Sequence, residues 1–446
     1  MGYLLLTRLW QLPAGMVTMW LLLKFYSEEF RDNYYLFTNL LALQTFVELG
    51  LPTILIILAS HEWAHLQLDP AGSIAGDSKA LSRLASLDRF STIWFRCCAA
   101  ILFFGVGSTG WWMAHQRAPA DLIWQLPWAG AVLMNAISLL YLPRLAILEG
   151  CNQMLTINFF RASQAVVGSF VVWACLGSGA GLWSLVAANA VRCMWDVYLV
   201  TWKYRHFYQS LNQADRSVTM NWLQEVWPLQ WRLSLQSVAG YFSNSFFVPV
   251  LYQFGRPGES GQFGMTWSIL SSLQQTSLSW LHTRTPELAA LAAKRDLPRL
   301  ERRMLITGSM TVTAFLLGAC AFWWFLWGLQ FYEIKAANGF LSLPILAWLI
   351  AALTIVQVIL VQHTYVRIHK QDPYVYINTI SAAAVGGLVW WSGKNFQAQG
   401  VAIAYTTFAL LWSLPASLII LGIYRRRFYQ EAESLRSESS GEAAMD

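Results

Sequence analysis

The chain has 446 residues, 56% of them hydrophobic and 12% charged, with a net charge of +6. Soluble proteins carry about 25% charged residues, so this composition excludes an ordinary soluble domain. The positive balance does not signal a nucleic-acid partner, because the basic residues are sorted between alternate connections rather than gathered on one patch.

Twelve apolar segments of bilayer length follow one another: 8–27, 36–60, 90–113, 122–142, 154–176, 181–200, 229–254, 263–283, 304–328, 340–363, 374–392 and 400–424. About 20 residues of helix cross about 30 Å of hydrocarbon, so the pattern predicts an all-α integral membrane protein. The first segment is long enough to stay as an anchor and lacks a small-residue cleavage site, so no signal peptide is expected. Twenty of the 30 Lys and Arg fall on one side of the predicted spans and five on the other, the rest lying in or near spans. Basic residues accumulate on the cytoplasmic side, which places both termini in the cytoplasm. The residues after Arg427 are rich in Glu and Ser, and are expected to be disordered.

An internal repeat is visible at an offset of 225. Gln11, Ala14 and Gly15 recur as Gln236, Ala239 and Gly240, and Glu62, Ala64 and Leu66 recur as Glu287, Ala289 and Leu291. Six spans separate the copies, so the halves share one orientation, as in parallel-repeat transporters. The expected organisation is one six-helix bundle over 1–224, a second over 225–424 and a tail over 425–446.

Ionisable and amide groups inside spans face protein or water, because hydrocarbon makes them costly. The candidates are Glu48 and Arg192 near mid-depth, Arg161 and Arg232 nearer the cytoplasmic end, Lys24 near the outer end, and the amides Asn39, Gln44 and Asn244. Spans nine to twelve contain no Asp, Glu, Lys or Arg. Arg192 and Asp196 share a helical face at i,i+4 and can neutralise each other. Glu48 has no basic residue three or four positions away, so it must pair across helices, take a proton or meet water.

His61-Glu62-Trp63-Ala64-His65 matches the H-E-x-x-H pattern, which on a helix presents two imidazoles to zinc with Glu as the base. Asp69 is the one nearby candidate for a third ligand and is not compelling, and the repeat keeps Glu287 while losing both His, so no metal site is expected. The six cysteines show no metal spacing and are read as packing residues. No P-loop or other catalytic motif is present, and neither enzymatic activity nor a cofactor is expected.

The stretch Tyr35-Leu36-Phe37, Leu40-Leu41-Ala42-Leu43-Gln44, Glu48-Leu49-Gly50-Leu51 and Ser60-His61-Glu62, set in twelve spans with long basic connections after spans two and eight, resembles the multidrug/oligosaccharidyl-lipid/polysaccharide (MOP) flippase superfamily, and within it the Wzx-type polysaccharide flippases. That resemblance implies a MATE-like pair of bundles around a cavity open to each side in turn, in the bacterial inner membrane. It implies an undecaprenyl-diphosphate-linked glycan as cargo, with membrane lipids and other polysaccharide-assembly proteins as partners. Arg161, Arg192 and Arg232 would then hold the diphosphate, because guanidinium grips phosphate through paired donors. Asn39, Gln44 and Asn244 would meet sugar, and Glu48 is the coupling candidate. The alternatives are a cation-coupled small-molecule exporter of the same fold, a non-transporting scaffold for glycan assembly, and a zinc protease using His61, Glu62 and His65.

Overall fold

The computed structural model describes residues 2–215, 218–369 and 371–442; Arg216 and Lys370, two of the twenty basic residues on the side expected to be cytoplasmic, and the last residues of the tail lie outside them. In chain order the helices are α1 (Gly2–Phe25), α2 (Glu28–Leu41), α3 (Gln44–Glu48), α4 (Leu51–Trp63), α5 (Ser78–Ile101), α6 (Gly107–Arg117), α7 (Gln125–Gly150), α8 (Met154–Gly177), α9 (Trp183–Tyr198), α10 (Arg205–Gln213), α11 (Trp227–Asn244), α12 (Phe247–Phe254), α13 (Glu259–Ala293), α14 (Leu297–Phe331), α15 (Leu343–Arg367), α16 (Tyr374–Phe408) and α17 (Leu414–Glu442). The sheet structure among the described residues is one small antiparallel hairpin, β1 (Leu66–Leu68) on β2 (Ile74–Gly76), in the connection after α4.

All twelve predicted segments are helical, and the structure is an all-α membrane protein. Among the described residues six helical stretches are individually long and apolar enough to cross a bilayer; a seventh is added if the pair Glu28–Glu48 and Leu51–Trp63, bent by 44°, counts as one. One of the six, Tyr374–Gln430, carries two predicted segments. They are separated at Gln397, whose φ of 58° and ψ of −150° break the helix. The remaining four predicted segments are diluted: α1 contains Pro13, α9 is 16 residues long and carries Arg192 and Asp196, a two-residue break parts α11 from α12, and α13 carries many Ser, Thr and Gln. Beyond Arg427, where disorder is expected, α17 continues to Glu442.

The chain forms two compact units, Met1–Gly261 and Gln262–Asp446. In the first, α7 packs against α4, α5 and α9, and α8 packs against α1 and α9. Small residues permit the closest approach: a Cβ on Gly150 of α7 would lie 2.5 Å from the Ile56 carbonyl of α4. Trp128 is buried, stacks on Phe37 at 4.5 Å and donates its indole N–H to the Gly107 carbonyl at 2.9 Å. α11 packs on α3 and α4, and so belongs to this unit.

A buried carboxylate organises one end of the first unit. Asp32 accepts from the backbone N–H of Gly258 (2.6 Å) and of Gly261 (2.6 Å) and from the Ser260 hydroxyl (2.8 Å). It caps the turn from which α13 starts, doing from a distant helix what an N-cap side chain does locally. Arg117 donates to the carbonyls of Tyr252 and Gly255, both at 2.9 Å, and the Tyr252 hydroxyl donates to Asn33 at 2.9 Å.

In the second unit α15 packs against α14, α16 and α17. One core cluster gathers Leu278, Leu281, Leu300, Met304, Tyr374 and Phe428. Neutral polar groups link the helices: Gln357 donates to Ser277 at 2.8 Å, and Ser417 donates to Gln362 at 2.6 Å. Such bonds suit an apolar surround, where unpaired amides are costly.

The sequence repeat has a structural counterpart within each unit. Glu62, at the end of α4, pairs with Arg83 in the second turn of α5 at 2.8 Å. Glu287, late in α13, pairs with Arg303 in the second turn of α14 at 3.7 Å. Both receiving helices begin with an Asp cap, Asp77 accepting from Lys79 and Ala80 N–H and Asp296 from Arg299 N–H. The shared Glu-x-Ala-x-Leu element therefore clamps the basic connection that follows it.

Candidate functional site

Helices α7, α8 and α9 enclose a cavity of about 70 Å³ whose lining includes Arg161, Gln164, Arg192, Asp196, Phe160 and Trp195. The spacing explains the convergence. Arg161 and Gln164 are three residues apart on α8, and Arg192 and Asp196 four apart on α9, so each pair occupies one helical face. The α8–α9 contact brings the two faces together.

Both arginines are tethered by better buried carboxylates. Arg161 pairs with Glu149 of α7 at 2.9 Å, with side-chain exposures of 44% and 11%. Arg192 lies 4.0 Å from Asp196, with exposures of 41% and 9%. The Asp196 carboxylate is held more tightly by others, accepting from Ser138 at 2.5 Å and from Gln164 at 3.3 Å. Gln164 also donates to the Arg192 carbonyl at 2.9 Å. Asp196 is thus a fixed counter-charge, while Arg192 is held only at the limit of an ion pair. A cavity this small admits a water or two, so an anion would be met at the exposed guanidinium ends rather than enclosed. Lys203 adds a third positive charge: its ammonium sits 4.8 Å from the centre of the Phe160 ring, which lines the same cavity.

Glu48 lies at the break in the second predicted span. Gln44, buried one turn earlier, donates to its carboxylate, and Arg192 is close enough to attract it. Directly after it, Leu49 and Gly50 both adopt left-handed conformations, with φ of 51° and 68°. A Cβ on Gly50 would lie 2.8 Å from the Leu233 Cβ of α11, and Ser234 of α11 donates to the Leu49 carbonyl at 3.0 Å. Glycine meets both demands, positive φ and close approach. Leucine at positive φ is strained, and such strain persists only where packing enforces it.

The other predicted residues stand apart from the cavity. Arg232 is exposed on α11, 5.5 Å from the centre of the Trp231 ring. Asn39 and Asn244 donate to the carbonyls of Tyr35 and Gly240, one turn back in their own helices, each at 2.9 Å. Asn244 is exposed and Asn39 half-buried. Of the three arginines read from the sequence, Arg161 and Arg192 meet at one cavity, together with Glu149, Ser138, Gln164 and Lys203, which the sequence reading did not single out. The signal for Gln164 was its i+3 spacing from Arg161; nothing in the sequence ties Ser138 or Lys203 to the site.

The H-E-x-x-H stretch is not a two-histidine helical face. α4 ends at Trp63, leaving His65 in the turn before β1. Glu62 is engaged by Arg83, which also reaches Glu225 at 2.5 Å. Among the described residues no group of three His, Cys, Asp or Glu is placed to hold a metal ion.

No family model and no curated protein matches this chain. Solved structures do. An inward-facing MATE family multidrug resistance transporter of the MOP superfamily superposes with a TM-score of 0.65 at 13% identity, covering 96% of each chain. The lipid II flippase MurJ, in an inward closed conformation, gives 0.58 at 12% identity over 94% of this chain and 92% of that one. A MATE protein in complex with MaL6 gives 0.50 at 12% identity over 95% and 94%. At such identities the likeness is one of fold: this multi-pass membrane chain shares the fold seen in that MATE transporter and in MurJ.

Proposed function

We propose that this protein is a flippase that moves a polyprenyl-diphosphate-linked oligosaccharide from the cytoplasmic to the outer leaflet by alternating access, in polysaccharide biosynthesis at the bacterial inner membrane. Both termini lie in the cytoplasm, and the bundles expected over 1–224 and 225–424, with α11 carried on the first, are the two moving bodies. The observation that carries this reading is the pair of half-exposed guanidinium groups of Arg161 and Arg192, each tied to a buried carboxylate at one cavity. A diphosphate is polyanionic and cannot cross hydrocarbon alone. Planar guanidinium offers it paired donors, and the buried Glu149 and Asp196 keep those guanidinium groups in place between cargoes. Lys203 supplies a further charge at this site, and Arg232 an outlying one on α11. Asn244 and Asn39, whose amide N–H groups bond their own helices, present carbonyl oxygens to sugar hydroxyls, and Gln44 orients Glu48.

A second reading, a cation-coupled exporter of small molecules, is favoured by Glu48, a carboxylate at a helix break within reach of Arg192, and by the likeness to a MATE transporter. The experiment is glycan export in cells carrying variants at matched membrane expression. Under the flippase reading, Arg161→Ala/Arg192→Ala/Arg232→Ala abolishes export, and Lys substitutes poorly where contact is bidentate. Wild-type export from the triple variant removes the diphosphate assignment.

A further inference from the structure

The second unit holds a larger cavity, of about 450 Å³, between α14, α15 and α17. It begins at Glu301 and Arg425 and continues along α14 past Gly308 to Val312, walled by Val358 and Val361 of α15 and Leu421 of α17. From Glu301 to Val312 the helical rise is about 16 Å, which matches the depth of one leaflet, half of about 30 Å of hydrocarbon. Its volume falls within the range of ligand sites, about 300–1,000 Å³.

One end is polar and basic. Arg425 makes two bonds to Glu301, at 2.6 and 2.7 Å, and remains half-exposed. Arg302 and Arg426, their neighbours in sequence, are exposed. Tyr365, on the cavity wall and 5% exposed, turns its hydroxyl toward the same Glu301 carboxylate that Arg425 holds. The lower walls are mainly apolar, with Ser309 and Gln362 the polar residues among them, and Leu305, 74% exposed on the same lining, opens the groove sideways.

We infer that this groove binds one acyl chain of an anionic membrane phospholipid, whose phosphate lies at the Arg425 and Tyr365 end. Three features select this occupant. The groove is one leaflet deep, which fits a phospholipid chain rather than a much longer isoprenoid. Its side opening gives access from the bilayer. The basic end sits among residues of the side expected to face the cytoplasmic leaflet, where basic pockets between helices take anionic headgroups. The cargo reading, which concerns the first unit, is not required.

The test is native mass spectrometry of the delipidated full-length protein mixed with phosphatidylglycerol and phosphatidylcholine of identical chains. Wild type should prefer phosphatidylglycerol about fivefold or more, the effect of a single well-placed basic residue. Ser309→Trp, which fills the groove, should lower binding of both lipids. Glu301→Gln/Arg425→Gln, which leaves no orphan charge, should erase the preference while leaving the groove open. Equal binding of the two lipids by wild type overturns the inference. So does a preference that survives both variants, or displacement of phosphatidylglycerol by farnesyl diphosphate at equal concentration. Transport is not measured, so failure here is separate from failure of the flippase reading.

Discussion

Removing the Asp32 carboxylate should destabilise the first unit by an amount set by its three bonds. Asp32→Ala deletes acceptors for two backbone N–H groups and one hydroxyl at a residue only 8% exposed. Hydrogen bonds to a charged group contribute about 1.5–3 kcal/mol each, but the three share one acceptor group, and partial hydration of the Gly258 turn recovers some of the loss. We expect a net loss of about 3 kcal/mol, near the upper end of measured capping effects plus one orphaned donor. Asp32→Asn separates bonding from packing. Its single carbonyl oxygen can keep the Ser260 and Gly261 bonds, made to one carboxylate oxygen, while its NH2 then faces the Gly258 N–H. The loss should be about half that of the alanine variant. Thermal unfolding of the detergent-solubilised proteins reads both, with a fall of about 6–12 °C expected for Asp32→Ala at about 2–4 °C per kcal/mol. Equal melting of Asp32→Asn and Asp32→Ala, or no change in either, would refute the cap as a stabilising device.

Further outcomes follow from the helix break and the clamp. Gly50→Ala forces a side chain into positive φ and onto Leu233, and should cost about 2 kcal/mol or more, seen as lower thermal stability and reduced folded yield. Arg83 holds the Glu225 carboxyl below its ordinary range, first through their hydrogen bond. The depressed carboxyl contributes stability that is complete above its ordinary value near 4.5 and is lost as pH falls through the lowered one. Acid titration of unfolding should therefore show a loss below about pH 4.5 that Glu225→Gln abolishes; an unchanged acid limb would contradict the clamp. His65→Ala, altering a turn residue, should leave glycan export at the wild-type level, and stoichiometric zinc in the purified protein would revive the protease reading.

The fold was legible because hydrophobic runs of bilayer length have few alternatives. The breaks within spans were less so. Gly50 marks one, but its partner Leu49 carries no signal for a left-handed conformation, which packing against α11 imposes. Gln397 likewise breaks α16 without Pro or Gly at the site. The Glu62 repeat foretold a paired structural element, since a motif that keeps Glu while losing both His has lost its metal chemistry and retained its charge. At the candidate site, helical spacing predicted Arg192 with Asp196, but the contacts of Ser138, Glu149 and Lys203 depend on how α7, α8 and α9 meet. Such tertiary partners leave no local periodicity to read.

The role proposed for the α8–α9 arginines is to bind a lipid diphosphate, and this can be measured directly. Binding of farnesyl diphosphate to the purified protein in detergent, compared with farnesyl monophosphate, measures this without transport. Wild type should prefer the diphosphate, and Arg161→Ala/Arg192→Ala should weaken its binding about tenfold or more, the effect of losing one or two charge-assisted hydrogen bonds. Binding that is unchanged in the double variant, or equal for the two phosphates, would contradict the assignment of this cavity to the cargo.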